Sequence, residues 1–300
     1  MFLKQRKSTT DPRLRSLVQK AARRGYAGTL EKVARRLYES GDKTWLRSRA
    51  VVITFEECWP LAQQLSLERG PESKIDALMR VSRAVKQKDA AGLGALAYAF
   101  HEGDMSVIEG MDDPNAVRFV SEALSRPGAF FDWAESRCVS GEQHQVVRAA
   151  KAYLAAATWG WDKTCILAGA YLASSGAVPK MGIADTQCDE AFPYWVALDK
   201  HTPQGKMALH AASAELGIPY RKIIWAGFYF ESAKTNALAK SPWWEAERKW
   251  RLNKAGLSLD TASEVWAQAR PILRRLISRE EADLQEVVEV GKGKQQEIFA

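Results

Sequence analysis

The stretch that decides the fold runs from Asp11 to Pro60 and reads DPRLRSLVQKAARRGYAGTLEKVARRLYESGDKTWLRSRAVVITFEECWP. Three times within it, apolar residues recur at intervals of three and four, which is the spacing of one helix face. Asp11 followed by Pro12 predicts the start of the first helix, and Gly25 predicts its end. Gly41 and Pro60 predict the ends of the next two helices. The N-terminal part is therefore expected to be helical.

The same pattern continues through the rest of the chain. Helical segments follow capping residues such as Ser140, Asp162 and Thr202. No segment shows sustained two-residue alternation, so little sheet is expected. The fold class predicted is all-α, a multi-helix globular protein. Four parts are expected: a basic helical part at 1–65, a helical insertion at 66–190, an aromatic and basic helical part at 191–288, and a flexible tail at 289–300.

The positive charge is concentrated near the N-terminus. The 300 residues carry a formal net charge of +7, and residues 1–50 hold 14 Lys or Arg against four Asp or Glu. A basic end on a nearly neutral body is typical of contact with a polyanion. No apolar run of about 18 residues occurs, and residues 1–10 lack the apolar core of a signal peptide. DNA is therefore the expected partner, no membrane is expected, and a cytoplasmic location is predicted.

The sequence lacks the motifs of ATP-hydrolysis, metal and other cofactor sites. No GxxxxGK[ST] sequence occurs, so ATP hydrolysis is not expected. No HExxH motif, CxxC pair or close cluster of Asp and His occurs, so neither a metal nor another cofactor is expected. The cysteines stand alone, as Cys58, Cys138, Cys165 and Cys188.

Two blocks of the chain resemble a known family. The first is residues 19–62, with Arg23-Arg24-Gly25 and Ala34-Arg35-Arg36-Leu37, and the second is Gly217–Asn236. Together they are similar to the helical domain that follows the ATPase module in replication-associated recombination proteins, the RarA/Mgs group of clamp-loader-related AAA+ proteins. The resemblance implies clamp-loader-collar-like helices and a DNA or oligomeric setting, with a homo-oligomer as one option.

The chain also departs from that family. Roughly 150 residues separate the two blocks, far more than the family carries, and the ATPase module is missing. Tyr220 replaces a glutamate of the family's turn, and Thr235 replaces a serine. The resemblance therefore covers about a quarter of the chain and implies a scaffold without ATP hydrolysis.

Basic residues outside the apolar stripes of the first helices are candidates for phosphate contact. They are expected to be free to face a partner. The candidates are Arg23, Arg24, Arg35 and Arg36.

The stretch from Phe192 to Arg251 combines aromatic and basic residues, which suit stacking on bases and contact with phosphates. Within it, Asp199 and His201 are candidate catalytic residues for cleaving an N-glycosidic bond, because a carboxylate can stabilise an oxocarbenium-like sugar. This role requires Asp199 to line an open, aromatic-walled cleft. The candidate DNA contacts are Lys200, Thr202, Lys206, Trp195, Trp243 and Trp244.

Two other interpretations of these carboxylates stay open. Asp199 to Pro203 fits a turn before a helix, with Thr202 as its N-cap and Pro203 as the first helical residue. Asp162, which also lies among tryptophans, is a rival for the carboxylate role and a candidate N-cap itself.

The C-terminal sequence GKGKQQEIFA contains a pattern that resembles the peptide with which bacterial replication proteins bind the sliding clamp. Gln295 would bond at the rim of the clamp pocket, and Ile298 and Phe299 would fill its groove. The alternative is an ordinary frayed or locally packed tail.

These patterns favour a protein of DNA repair or replication. The leading hypothesis is a metal-independent DNA glycosylase that flips and excises a damaged or modified base. The first alternative is a non-catalytic, collar-like scaffold that binds DNA and a clamp. The second is a replication inhibitor or phage-defence factor acting on foreign DNA.

Overall fold

The computed structural model describes residues 11–65, 70–111, 113–184 and 186–289. Within these ranges the chain forms fourteen α-helices and no strand beyond three isolated bridges, which confirms the all-α prediction. The helices are α1 Pro12–Arg24, α2 Ala27–Glu39, α3 Lys43–Cys58, α4 Pro71–Arg83, α5 Asp89–His101, α6 Asn115–Ser125, α7 Pro127–Arg137, α8 Gly141–Tyr153, α9 Gly160–Ser175, α10 Pro203–Leu216, α11 Tyr220–Gly227, α12 Pro242–Lys254, α13 Leu259–Leu276 and α14 Ser278–Glu289. None of these helices is both long and apolar enough to cross a membrane.

Helix α1 begins and ends where the sequence predicts. The Asp11 side chain accepts a hydrogen bond from the backbone N–H of Arg13, and Pro12 occupies the first helical position. Gly25 ends the helix with a φ of 85°, a conformation that costs glycine little. A Cβ atom at Gly25 would lie 2.7 Å from Nδ2 of Asn236. The turn therefore needs glycine for its backbone and for the close approach of a distant segment.

The buried apolar side chains form two clusters. The first, the terminal cluster, draws on α1, α2, α4, α10, α11, α13 and α14. The second, the insertion cluster, draws mainly on α5 to α9. Helices α3 and α12 serve both: Ile53 and Trp244 pack in the terminal cluster, whereas Phe55, Trp243 and Trp250 pack in or against the insertion cluster.

Helix α5 lies between two neighbours that approach its backbone closely. A Cβ atom at Gly94 would lie 2.6 Å from Cα of Cys165 in α9, and one at Gly92 would overlap the backbone at Trp243 in α12. Glycine at both positions lets the three helices pack backbone to backbone. This packing places α12, with its tryptophans, against the insertion.

Candidate nucleic-acid interface

Asp199 lies in the turn between a 3₁₀ segment, Tyr194–Ala197, and α10. Its carboxylate accepts a hydrogen bond from Lys20 Nζ at 2.6 Å and from the backbone N–H of His201 at 2.9 Å. The His201 ring nitrogen Nδ1 lies 3.1 Å from the same carboxylate. Burial would raise the pKa of Asp199, but the charge of Lys20 and the contacts from His201 hold it well below its usual range. Asp199 is therefore an ionised anchor that ties α10 to α1.

The cavity that Asp199 lines is too small for a nucleobase. Its volume is about 40 Å³, and its walls include Trp195, Lys200 and Phe228. A single water needs roughly 10–15 Å³ of such space, so the cavity has room for a few waters only. The side chain of Asp199 itself is 9% exposed. The prediction that Asp199 lines an open cleft is therefore wrong for this conformation.

Thr202 caps α10, as predicted by the interpretation of residues 199–203 as a turn before a helix. Its hydroxyl accepts a hydrogen bond from the backbone N–H of Gly205 at 3.1 Å, and Pro203 occupies the first helical position. Thr202 is fully buried. A direct contact between Thr202 and DNA is therefore excluded here, because the hydroxyl satisfies the helix start instead.

Arg23 and Arg24 are buried, and the expectation that they project toward a partner is wrong. Arg23 Nε donates to Glu57 Oε1 at 2.7 Å, and its Nη1 donates to the carbonyl of Ser232 at 2.6 Å. Arg24 Nη2 donates to Glu231 Oε1 at 2.6 Å. Both guanidiniums thus have carboxylate partners inside the fold, supplied by segments distant in the chain.

Glu57 is the centre of this buried network. Besides Arg23, it pairs with Lys88 Nζ at 2.9 Å. Burial would raise the pKa of Glu57, but the charges of Arg23 and Lys88 lower it to about 2. The buried charge cluster is defined here as Arg23, Arg24, Glu57, Lys88 and Glu231. Its cations connect α1 to a segment distant in the chain, since Arg23 and Arg24 bond to residues 231 and 232.

Two of the predicted aromatic contacts are also core residues. Trp195 is 4% exposed and stacks on Trp266, with the ring centroids 6.2 Å apart. Trp244 is 8% exposed and carries Lys88 Nζ over its ring at 4.4 Å. Neither indole presents a face to a base, so the prediction that they contact DNA is wrong for this conformation. Trp243 is half-buried and lines an open groove described below.

The remaining basic candidates lie at the surface. Arg35 is exposed and pairs with Glu31 and Glu72. Arg36 is half-buried and donates to the carbonyl of Val287. Lys206 is exposed in the first turn of α10. Their contact with DNA stays a prediction.

A run of alternating cations and aromatic rings lies between α9, α11 and α12. Lys200 Nζ lies 4.0 Å from the ring centroid of Trp225 and 4.6 Å from that of Phe228. The run continues through Arg251 and Trp250 to Lys254. We call it the cation–aromatic ladder, and its members are Phe228, Lys200, Trp225, Arg251, Trp161, Trp250 and Lys254.

Arg251 is the centre of the ladder. Its guanidinium carbon lies 4.6 Å from the centroids of Trp225 and Trp250 and 5.1 Å from that of Trp161. Its Nε donates to Glu247 Oε1 at 2.8 Å, which fixes the plane of the group. Stacking of this kind holds a guanidinium in place without removing its positive charge. All six ladder residues other than Lys254 are half-buried, and Lys254 is exposed.

Lys200 carries no carboxylate within salt-bridge distance in the described ranges. Burial lowers its pKa to about 8, against the opposing charge of Asp199. At neutral pH most of the Lys200 side chains are therefore still charged. The ammonium is held by ring faces instead of a carboxylate, and it lines the same small cavity as Asp199.

An open groove adjoins the ladder at Trp250. It lies between α12 and residues 106–111 and 113, and its volume is about 760 Å³. Trp250 Nε1 donates to Ser106 Oγ at 3.2 Å, and the backbone N–H of Trp243 donates to Asp89 Oδ1 at 2.8 Å. Polar contacts thus fix the ring of Trp250 and the backbone of Trp243 at one side of the groove. Sequence reasoning missed Trp250, Trp161 and Arg251 as one site, because nothing local links α9 to α12.

Asp162, the rival candidate for the carboxylate role, already has an ion-pair partner inside the fold. Helix α9 begins at Gly160 with Trp159 in the capping position, so the prediction of Asp162 as the N-cap is wrong. Asp162 instead accepts a hydrogen bond from Arg49 Nη1 at 2.9 Å. Within the described part of the chain, no group of three or more His, Cys, Asp or Glu is placed to hold a metal. The clamp-binding candidates Gln295, Ile298 and Phe299 lie outside the described residues.

Comparison with protein-family models, with curated proteins and with solved structures gave no match to this chain.

Proposed function

We propose that the protein is a DNA-binding scaffold that holds a single-stranded or locally opened segment along the cation–aromatic ladder. The observation that carries the proposal is Arg251, stacked among three indoles that are each half-buried. Single-strand binding surfaces combine cations that follow the phosphates with rings on which bases stack. The ladder brings both kinds of residue together, and its end at Lys254 is exposed.

The charges of the ladder favour a polyanion over a neutral ligand. Lys200, Arg251 and Lys254 contribute three cations. The acidic partners are Glu247, which is buried beneath Arg251, and Asp104, which pairs with Lys254. The net charge of +7 and the resemblance to a replication-associated family support DNA as the polyanion.

The test is the salt dependence of binding to a short labelled single-stranded oligonucleotide, measured by fluorescence anisotropy. Lys254→Gln should weaken binding and reduce the slope of log affinity against log salt by about 0.7, the value of roughly one phosphate contact on a single strand. Lys151→Gln is the matched control: Lys151 is 49% exposed and pairs with Glu135, as Lys254 is 40% exposed and pairs with Asp104. Absence of binding by the wild-type protein, or equal effects of both variants, would refute the proposal.

A second candidate is the DNA glycosylase, favoured by one observation. Asp199 and Lys200 line the same small cavity, with Trp195 and Phe228 in its walls. The geometry supports this candidate less, because Lys20 and His201 already hold the carboxylate and no base fits the cavity. The assay is abasic-site formation on duplexes that carry damaged or modified bases. Product from the wild type but not from Asp199→Asn supports catalysis, whereas no product on any substrate excludes it.

A further inference from the structure

The groove between α12 and residues 106–111 and 113 adjoins the cation–aromatic ladder at Trp250. Pockets that bind small molecules have volumes of about 300–1,000 Å³, and this groove has about 760 Å³. It is therefore large enough for one nucleotide. The Asp199 cavity, at about 40 Å³, is not.

The aromatic wall of the groove is held in place. Trp250 is fixed by its hydrogen bond to Ser106 and by the cations of Arg251 and Lys254 over its ring. The Trp243 ring packs against the insertion cluster, and its backbone N–H bonds to Asp89. Rings held in this way can stack on a base without first losing much rotamer freedom.

The polar rim of the groove offers complementary groups. Lys249 is exposed and has no carboxylate within salt-bridge distance among the described residues, so its ammonium is available to a phosphate. Glu109 and Asp113 are exposed acceptors, which suit the exocyclic amines of bases. Asn253 supplies both a donor and an acceptor. The rim thus offers polar partners to a base and its phosphate beside the apolar wall formed by Trp243, Ala246 and Trp250.

We infer that the groove receives one unstacked nucleotide of the bound strand, with its base against the tryptophans and its phosphate at Lys249. The inference rests on the proposed function and extends it, because Trp250 belongs to both the ladder and the groove. A strand that follows the ladder past Arg251 reaches the groove at Trp250. The groove thereby gives the protein a place to hold a base outside the stack.

The test is photo-crosslinking of a single-stranded oligonucleotide that carries 4-thiothymidine, with the attachment site mapped by mass spectrometry. The crosslinks are expected within residues 106–113 and 243–254. Asn253→Trp fills the groove from an exposed helical position and should reduce this crosslink at least tenfold. Gln268→Trp, at an exposed position of α13, is the matched control and should leave it unchanged.

Anisotropy with the same oligonucleotide separates this inference from the proposed function. Binding with crosslinks elsewhere, or an equal yield from Asn253→Trp and wild type, overturns the groove assignment and leaves the ladder standing. Crosslinks in the groove that vanish only in Asn253→Trp support the assignment. No binding by the wild type overturns both. Circular dichroism of each variant shows whether it is folded. Lys249→Gln is a milder change than Asn253→Trp. It removes the proposed phosphate contact without filling the groove, and it should weaken the groove crosslink.

Discussion

The buried charge cluster and the cation–aromatic ladder use the same kinds of residue in opposite ways. In the cluster, Arg23 and Lys88 are enclosed and share the carboxylate of Glu57. In the ladder, both cations lie on ring faces: Lys200 has no carboxylate partner among the described residues, and Arg251 pairs with Glu247. A carboxylate neutralises a cation, whereas an aromatic face holds it and keeps its charge. We therefore expect the cluster to stabilise the fold, and we propose the ladder as the place where a ligand binds.

The largest expected effect lies in the cluster. Glu57→Gln keeps the shape of the side chain but leaves Arg23 and Lys88 buried without a neutralising charge. Removing one partner of a buried ion pair costs about 3–5 kcal/mol, so the free energy of unfolding in urea should fall by that amount. Glu72→Gln, which removes an exposed partner of Arg35, is the control and should change it by less than about 1 kcal/mol. Similar losses from the two variants would mean that the cluster does not differ from surface pairs.

The pH dependence of stability gives a second measure of the cluster. The pKa of Glu57 is about 2 in the folded protein and 4.5 for the ordinary group. A carboxyl whose pKa is lowered by folding stabilises the fold above its unfolded pKa and loses that contribution as the pH falls toward the folded value. The loss should amount to about 3 kcal/mol.

Denaturation of wild type and Glu57→Gln between pH 6 and pH 2 measures this contribution. The difference between the two proteins should shrink as the pH falls through 4.5 toward 2. A difference that is constant over this range would contradict the low pKa of Glu57.

In the ladder, the largest effect is expected from Trp250. Trp250→Ala should lower the affinity for single-stranded DNA by about 1–3 kcal/mol, the usual contribution of one base–aromatic stack. Trp133→Ala is the matched control, since Trp133 is also half-buried and packs against the insertion cluster. Both variants should lose stability, but only the first should lose affinity in an anisotropy titration. Equal losses of affinity would assign the effect to the fold.

The two regions also show which structural features can be predicted from the sequence. The start of α1 at Asp11 and the cap at Thr202 were predictable, because each depends on residues within three positions. The burial of Arg23 and Arg24 was not, because it depends on Glu57, 34 residues away, and on Glu231, 207 residues beyond Arg24. A helical pattern places a cation outside an apolar stripe, but it does not say whether another segment covers that position.

The candidate site was only partly predictable from the sequence, for the same reason. The region 192–251 includes Lys200, Trp225 and Arg251, so local composition pointed to the part of the chain that supplies most of the ladder. Trp161 comes from the insertion, 90 positions before Arg251, and only the tertiary packing brings the two together. Asp199 drew attention through its neighbours in sequence, whereas its partner Lys20 lies 179 positions away.

The smallest effect is expected from Lys200, and it tests whether the ladder's cations remain charged for a ligand. The pKa of Lys200 is about 8 because of burial, so its ammonium is present below that pH and is lost above it. Affinity for single-stranded DNA should therefore fall by about fivefold, roughly 1 kcal/mol, as the pH rises from about 7 to about 9. Lys200→Gln should bind more weakly at pH 7 and show no such fall, because Arg251 keeps its charge throughout. A wild-type affinity that is flat over this range would mean that Lys200 is a packing residue like those of the cluster.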